Sequence, residues 1–179
     1  MSKIQGFLKS LQIENRPADV MFENLNTLIR KNFDNDFFFT ALYGIFDNQK
    51  MTLTVYRPGH NGLIYYNQAA KKTELIEPGG IAFGIADTKR FKHELKAVTL
   101  SYQPGDVFVF LTDGFMEAMD DYNQPFGEKR LCELIDSHHD KAPAEMMSYL
   151  QDAVERYSSG RHHDDATGVI VRISSPAGS

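Results

Sequence analysis

The sequence of 179 residues contains a single cysteine, Cys132, so no disulfide can form within the chain. Disulfides are typical of secreted proteins, so a single cysteine favours a reducing compartment. Cys132 lies among the apolar residues of RLCELI, which predicts a buried structural thiol. The chain also lacks an apolar run of membrane-spanning length, and its first residues, MSKIQGFLKS, contain no continuous apolar signal region. These features predict a cytoplasmic protein that does not bind or cross a membrane.

Clusters of basic residues are missing as well. The 19 Lys and Arg residues are outnumbered by 24 Asp and Glu residues, and the net charge of −5 argues against a nucleic-acid-binding surface. Segments that do contain lysine, such as KHELKA and AAKKTEL, also contain glutamate, and we interpret them as solvated faces. The content of 42% hydrophobic residues, including 13 Phe, is sufficient for the core of one domain.

The hydrophobic pattern changes period along the chain. Apolar residues at helical spacing predict helices over residues 1–13 and 17–31. Residues 37–46, FFFTALYGIF, are apolar on both alternating faces and predict a covered strand, after which further strands and turns follow up to VFVFLTD. Two more helices and a last strand, ATGVIVRIS, complete the order. The pattern predicts an α+β protein in which helices flank antiparallel sheets.

Two acidic positions lie at the ends of predicted strands. Asp113 follows the apolar run FVFLT, and Asp164 precedes the last strand in HDDAT. If these strands are neighbours, both carboxylates lie at the same end of a sheet, where they could bind a hard cation such as Mg²⁺ or Mn²⁺. Asp-Gly is also a common turn and Asp a common helix N-cap, and for TDG alone we favour that structural explanation. The paired acids of HDDAT are harder to explain as caps.

Three neighbouring residues are candidates for supporting roles. Gly114 would let the backbone approach Asp113 closely, because it has no side chain. Asp165 is a candidate to accept a hydrogen bond beside the metal ligands or to hold a water there. His162 and His163 could suggest zinc, but solvated histidines are the default interpretation, with His163 influencing Asp164 by proximity.

Several segments in this order resemble the bacterial SpoIIE-like branch of the metal-dependent PPM (protein phosphatase 2C-like) serine/threonine phosphatases. They are PADVMFENLN, FFFTALYGIFD, MTLTVYRPGHNG, FGIAD, QPGDVFVFLTDGFMEAMD, FGEKRL and HDDATGVIVRI. The resemblance implies a phosphatase domain over residues 1–174, with a tail over 175–179. It also implies a PPM-type α-β-β-α sandwich of two antiparallel sheets flanked by helices, and hydrolysis of phosphoserine or phosphothreonine on a partner protein.

By the same resemblance, Asp113 and Asp164 match two metal-ligating aspartates of a site that holds two Mn²⁺ or Mg²⁺ ions. Such a pair of ions activates a water for in-line attack on phosphorus. The family's upstream Gly-Asp-x-x-Gly motif, whose Asp bridges both metals, has no match in this sequence. We therefore expect the chain to begin inside the domain, to lack its first strands, to hold at most one ion weakly and to have little activity alone.

The resemblance also indicates partners. It implies a phosphoprotein substrate, of the anti-anti-sigma type in sigma factor regulation, and an upstream sensor or receiver domain. A sheet that lacks its first strands has an exposed edge, so we hypothesise that the chain self-associates, for example as a homodimer. The alternative function is a non-catalytic module, or pseudophosphatase, that binds a phosphoprotein without cleaving it.

Overall fold

A computed structural model describes residues 4–6, 9, 17–34, 36–160 and 165–175. Residues 4–6 and 9 are helical, and the rest of the helix predicted over 1–13 lies outside the described residues. The longer helices are α1 (Ala18–Asn32), α2 (Thr88–Glu94), α3 (Gly127–His138) and α4 (Pro143–Tyr157). The strands are β1 (Tyr43–Asp47), β2 (Thr52–Tyr56), β3 (Leu63–Asn67), β4 (Lys72–Ile76), β5 (Ala97–Ser101), β6 (Val107–Leu111) and β7 (Gly168–Arg172).

The strands form two sheets. One has three strands in the order β1-β2-β5, and the other has four strands in the order β4-β3-β6-β7. In the larger sheet, β3 pairs antiparallel with β4 and β6, and β6 pairs antiparallel with β7. Two antiparallel sheets with flanking helices confirm the predicted α+β fold class. None of the helices within the described ranges is both long and apolar enough to span a bilayer.

The chain divides into two compact units. The first comprises Met1–Ile45, Thr54–His60 and Pro78–Thr99, and the second comprises Phe46–Leu53, Asn61–Glu77 and Leu100–Ser179. In the first unit, α1 buries one apolar stripe, as its helical spacing predicts. Phe22 on this stripe makes edge-to-face contacts with the rings of Tyr43, Tyr56 and Phe83. These aromatic contacts supply much of the first unit's core.

The strand predicted over residues 37–46 is wrong in its first half, because β1 begins only at Tyr43. Phe39 forms an isolated antiparallel bridge with Phe83, whereas Ala41 forms a parallel bridge with Gly59. These two residues pair with different segments in opposite senses, so no continuous ladder forms. The aromatic side chains fit an extended backbone but do not dictate its partner.

In the second unit, β6 lies between β3 and β7 and is almost entirely buried. This explains its continuous apolar sequence, VFVFL, since a strand covered on both faces has no polar side. Helices α3 and α4 contribute apolar residues to the same core, including Met146. β6 ends at Leu111, two residues before Asp113.

A buried carboxylate lies at the opposite end of β6. Asp106 is 1% exposed and accepts hydrogen bonds from the Tyr65 hydroxyl at 3.0 Å and from the backbone N–H groups of Gln68 and Gln103, each at 2.9 Å. Burial of the phenol, and then its hydrogen bond to Asp106, raise the pKa of Tyr65 well above its ordinary value. The folded protein therefore keeps Tyr65 protonated at pH values at which the unfolded chain loses this proton.

We expect the free energy of unfolding to fall as the pH rises above about 10, the ordinary pKa of tyrosine. Above that pH the unfolded state binds fewer protons at Tyr65 than the folded state, which favours unfolding. Urea unfolding of the wild type and of Tyr65→Phe at pH 8 to 11 measures the effect. The wild type should lose more stability over this range than Tyr65→Phe, and equal slopes would contradict the assignment to Tyr65.

Candidate metal centre

The end of β6 fixes the position of Asp113. Thr112 is extended, and Asp113–Phe115 then form one turn of 3-10 helix. The Phe115 side chain is fully buried in the second unit's core, which anchors this turn. The backbone carbonyl of Asp113 accepts hydrogen bonds from the N–H groups of Met116 and Glu117, each at 2.9 Å. The extended backbone therefore ends at Asp113, which begins a defined turn. The Asp113 carboxylate is half-buried at this end of the sheet.

Asn61 orients the Asp113 carboxylate. Its side-chain Nδ2 donates a hydrogen bond to Asp113 Oδ1 at 2.5 Å. Asn61 lies just before β3, the strand that pairs with β6, so adjacent strands of one sheet bring the two side chains together. The amide is a neutral donor, so it fixes the carboxylate without cancelling its charge. A carboxylate held in this way retains its attraction for a cation.

The segment before β7 lies against the same turn. β6 and β7 are paired up to Leu111 and Gly168. The two strands are therefore neighbours, which is the condition that the metal-site hypothesis set. Thr112 extends the contact, because its backbone N–H donates to the Thr167 carbonyl at 2.9 Å and its Oγ1 accepts from the Thr167 N–H at 2.9 Å. Thr112 Oγ1 also lies 3.2 Å from the Asp165 carbonyl oxygen, to which it can donate.

Gly114 permits this close approach. A Cβ atom at residue 114 would lie 2.9 Å from the Asp165 carbonyl oxygen and 3.1 Å from Ala166 Cα. Since these neighbours are backbone atoms, a side chain at this position would displace residues 165–166 from the turn. The sequence predicted that Gly114 allows a close approach of the backbone, and in the structure the approaching segment is residues 165–166.

The structure describes only some of the residues that the sequence suggested for the metal site. Asp113 and Asp165 are described, with Asp165 exposed in the segment that leads into β7. Asp164 and His163 lie outside the described residues, so their roles remain predictions. Among the described residues, no group of three or more His, Cys, Asp or Glu side chains is arranged to hold a metal ion.

The donor chemistry of the described residues fits a hard divalent cation. The Asp113 carboxylate offers oxygen ligands, which Mg²⁺ and Mn²⁺ prefer over nitrogen and sulfur. Because the described residues bring no group of three His, Cys, Asp or Glu side chains together here, further ligands would have to come from water or from Asp164.

Asn61 was not identified from the sequence. It lies in RPGHNG, where the sequence directs attention to the histidine of the Gly-His turn. The signal that could have identified it was a polar amide two residues before the buried strand β3, which is the neighbour of the strand that leads into TDG. This signal becomes informative only when the pairing of β3 with β6 is known.

Comparison with known proteins identifies a family and a fold. The family model described as Stage II sporulation protein E (SpoIIE) matches residues 1–174. The phosphoserine phosphatase RsbU of Bacillus subtilis (strain 168) is 27% identical over 175 residues, which cover 96% of this chain. The chain spans about half the length of this relative, since the match covers 50% of RsbU.

Solved structures share the fold at low sequence identity. The PP2C phosphatase domain of the Bacillus subtilis cell-fate determinant SpoIIE, with a fragment of its regulatory domain, has a TM-score of 0.79 at 17% identity, covering 97% of this chain and 49% of that one. The Mn-presoaked phosphatase domain of the same protein has a TM-score of 0.68 at 16% identity, covering 100% of this chain and 77% of that one.

Proposed function

Since the chain belongs to the SpoIIE family of PP2C-like serine/threonine phosphatases, we propose that it removes phosphate from phosphoserine or phosphothreonine on a regulatory partner protein. The observation that supports this proposal is the Asp113 carboxylate at the end of β6, which Asn61 orients beside the segment leading into β7. A hydrogen bond that orients a metal-binding carboxylate in advance strengthens its binding of a cation.

We assign Asp113 and Asp164 as metal ligands, with Mn²⁺ or Mg²⁺ as the cation. When bound, such cations activate a water and neutralise the phosphoryl oxygens. The chain's own residues prepare the site. Asn61 restricts the rotation of the Asp113 carboxylate, and Thr112 holds residues 165–167 against the end of β6. Gly114 leaves room for the backbone of residues 165–166. Asp165 and His163 are proposed to support these ligands.

We propose that the substrate is a phosphoserine protein of the anti-anti-sigma type and that the chain acts in sigma factor regulation in the cytoplasm. The relative RsbU is named a phosphoserine phosphatase, which supports phosphoserine as the substrate group. We further propose that an upstream sensor or receiver domain accompanies this region. In the larger sheet of the described residues, β7 is an outer strand, which supports the proposal of self-association through an open edge.

A second candidate function is phosphoprotein binding without hydrolysis. It is supported by the missing Gly-Asp-x-x-Gly motif and by the finding that the described residues contain no group of three His, Cys, Asp or Glu side chains arranged to hold a metal ion. In this case Asn61 and Asp113 would be parts of a recognition surface, and removal of divalent cations would leave partner binding unchanged.

Release of inorganic phosphate from a phosphoserine protein separates the two functions. We expect Mn²⁺-dependent release by the full gene product, with loss on chelation, and little or no release by the 179-residue chain alone. The substrate's unphosphorylated form serves as the control for contaminating phosphate. Tight binding of the phosphoprotein by the full gene product, with no release at any Mn²⁺ concentration, would favour the non-catalytic function and contradict the phosphatase proposal.

A further inference from the structure

A cavity of about 390 Å³ lies at the end of the larger sheet that is remote from Asp113. Arg172 pairs with Val107 in the register of β6 and β7, whereas Leu111 and Gly168 pair next to the candidate metal centre. Four residue-to-residue steps along β6 separate Val107 from Leu111, a distance of about 13 Å. The cavity is lined by Gln68, Pro104, Gly105, His139, Asp140 and Arg172. Its size is in the range of small-molecule sites.

Arg172 is the feature that points to a ligand. Its Nη1 donates a hydrogen bond to the Asp140 carbonyl at 2.9 Å. Its Nε is buried and has no hydrogen-bond partner in the part of the chain that the structure describes. A guanidinium carries five N–H donors in a fixed fork, and leaving buried donors unsatisfied is unfavourable. Because Arg172 lines the cavity, an anion bound there would interact with the positive charge of the guanidinium and offset part of this cost.

The other walls of the cavity are held in place. His139 Nδ1 lies 2.7 Å from the Asp136 carbonyl, and the imidazole stacks on Tyr66 with ring centroids 4.3 Å apart. Gly105 has φ of +93°, and a Cβ there would lie 2.8 Å from Gln68 Cγ, so the Gln68 side chain lies directly over the glycine. A cavity with fixed walls around an arginine is organised before a ligand binds, which reduces the entropic cost of binding.

We propose that this cavity binds a small oxyanion, a phosphate or a carboxylate group, through the guanidinium of Arg172. The planar fork of arginine matches both groups in geometry and charge. Two carboxylates lie near this anion site and affect it differently. Asp106 already accepts three hydrogen bonds, whereas the exposed Asp140 lines the cavity with its own negative charge. Asp140 should therefore weaken anion binding and offers a variant that strengthens it. The site is independent of the proposed phosphatase activity.

The test is a titration of the metal-free protein, prepared with a chelating resin, with inorganic phosphate and separately with malonate. NMR follows the Arg172 Nε–H and the Gly105 amide. We expect saturable shifts at both groups, and the tighter of the two anions identifies which oxyanion the site prefers. Shifts that rise linearly without saturation for both anions, or that are absent at these two groups, would overturn the proposal.

Variants make the test specific. Arg172→Gln should weaken binding at least tenfold, whereas Arg90→Gln, the same charge change at an exposed position of α2, should leave the affinity unchanged. Asp140→Asn keeps the backbone carbonyl that Arg172 contacts and should tighten binding. It also carries the test if Arg172→Gln does not fold. Equal effects of Arg90→Gln and Arg172→Gln would show that net charge explains the binding. Unchanged affinity in Asp140→Asn would show that the anion does not bind in this cavity.

Discussion

The Asp113→Asn variant of the full gene product is expected to lose Mn²⁺-dependent phosphate release by at least about 100-fold, since even residues that only support a metal ligand contribute 10–100-fold. The substitution removes the negative charge that attracts the cation, and a carboxamide offers only one neutral oxygen. The fold should be unaffected, because the Asn oxygen can still accept the hydrogen bond from Asn61 Nδ2 that Asp113 Oδ1 now accepts.

Two measurements separate this effect from general damage. Calorimetric titration with Mn²⁺ should show weaker binding in Asp113→Asn, while the thermal unfolding curve in the absence of metal remains that of the wild type. Glu128→Gln, the same charge change on an exposed position of α3, is the matched control and should retain activity. Undiminished Mn²⁺-dependent turnover by Asp113→Asn would remove the basis for the metal centre.

Asn61→Ala extends the same test to the residue that orients the carboxylate. The variant keeps the charge of Asp113 but removes its hydrogen-bond donor, so we expect Mn²⁺ affinity to fall by about 10–100-fold, less than in Asp113→Asn. A purely structural role for Asn61 would lower the melting temperature of the metal-free protein instead. A loss of Mn²⁺ affinity with an unchanged melting temperature would show that the Asn61 amide acts on the metal site. A lower melting temperature with unchanged Mn²⁺ affinity would contradict this role.

The strands that position Asp113 were predictable from the sequence because each has a clear pattern. The buried run VFVFL and the alternating residues of GVIVR indicate strands, and their antiparallel pairing follows in the structure. β4 was missed, because KTELI resembles a solvated charged segment. In the structure Thr73 is buried, whereas Lys72 and Glu74 are exposed, which is the pattern of an outer strand.

The contacts around the site were less predictable than the strands. Asn61 and Asp113 are 52 residues apart, and only the register of β3 with β6 brings them within hydrogen-bond distance. Helix α2 was also missed, because its sequence, TKRFKHE, buries a single residue, Phe91. Its N-cap is Asp87, whose side chain accepts a hydrogen bond from the Arg90 N–H. A short helix with one buried residue has almost no periodic signal.

The Asp106→Ala variant is expected to lose about 3–5 kcal/mol of unfolding free energy, since removal of a buried charged acceptor leaves its donors unsatisfied. The carboxylate accepts hydrogen bonds from two segments of the chain: from the Tyr65 hydroxyl on β3 and the Gln68 N–H in the turn after β3, and from the Gln103 N–H before β6. It therefore joins the turns at one end of the two central strands.

Urea unfolding at pH 7 measures this loss. A double-mutant cycle with Tyr65→Phe separates the part that comes from the hydrogen bond between Tyr65 and Asp106 from the rest. Tyr65→Phe removes one donor and leaves Asp106 with two backbone donors, so its cost should be smaller than that of Asp106→Ala. In the Asp106→Ala background, the phenol has no acceptor, and Tyr65→Phe should become nearly neutral. Equal costs of Tyr65→Phe in both backgrounds, or a loss below about 1 kcal/mol in Asp106→Ala, would show that the carboxylate does not support these turns.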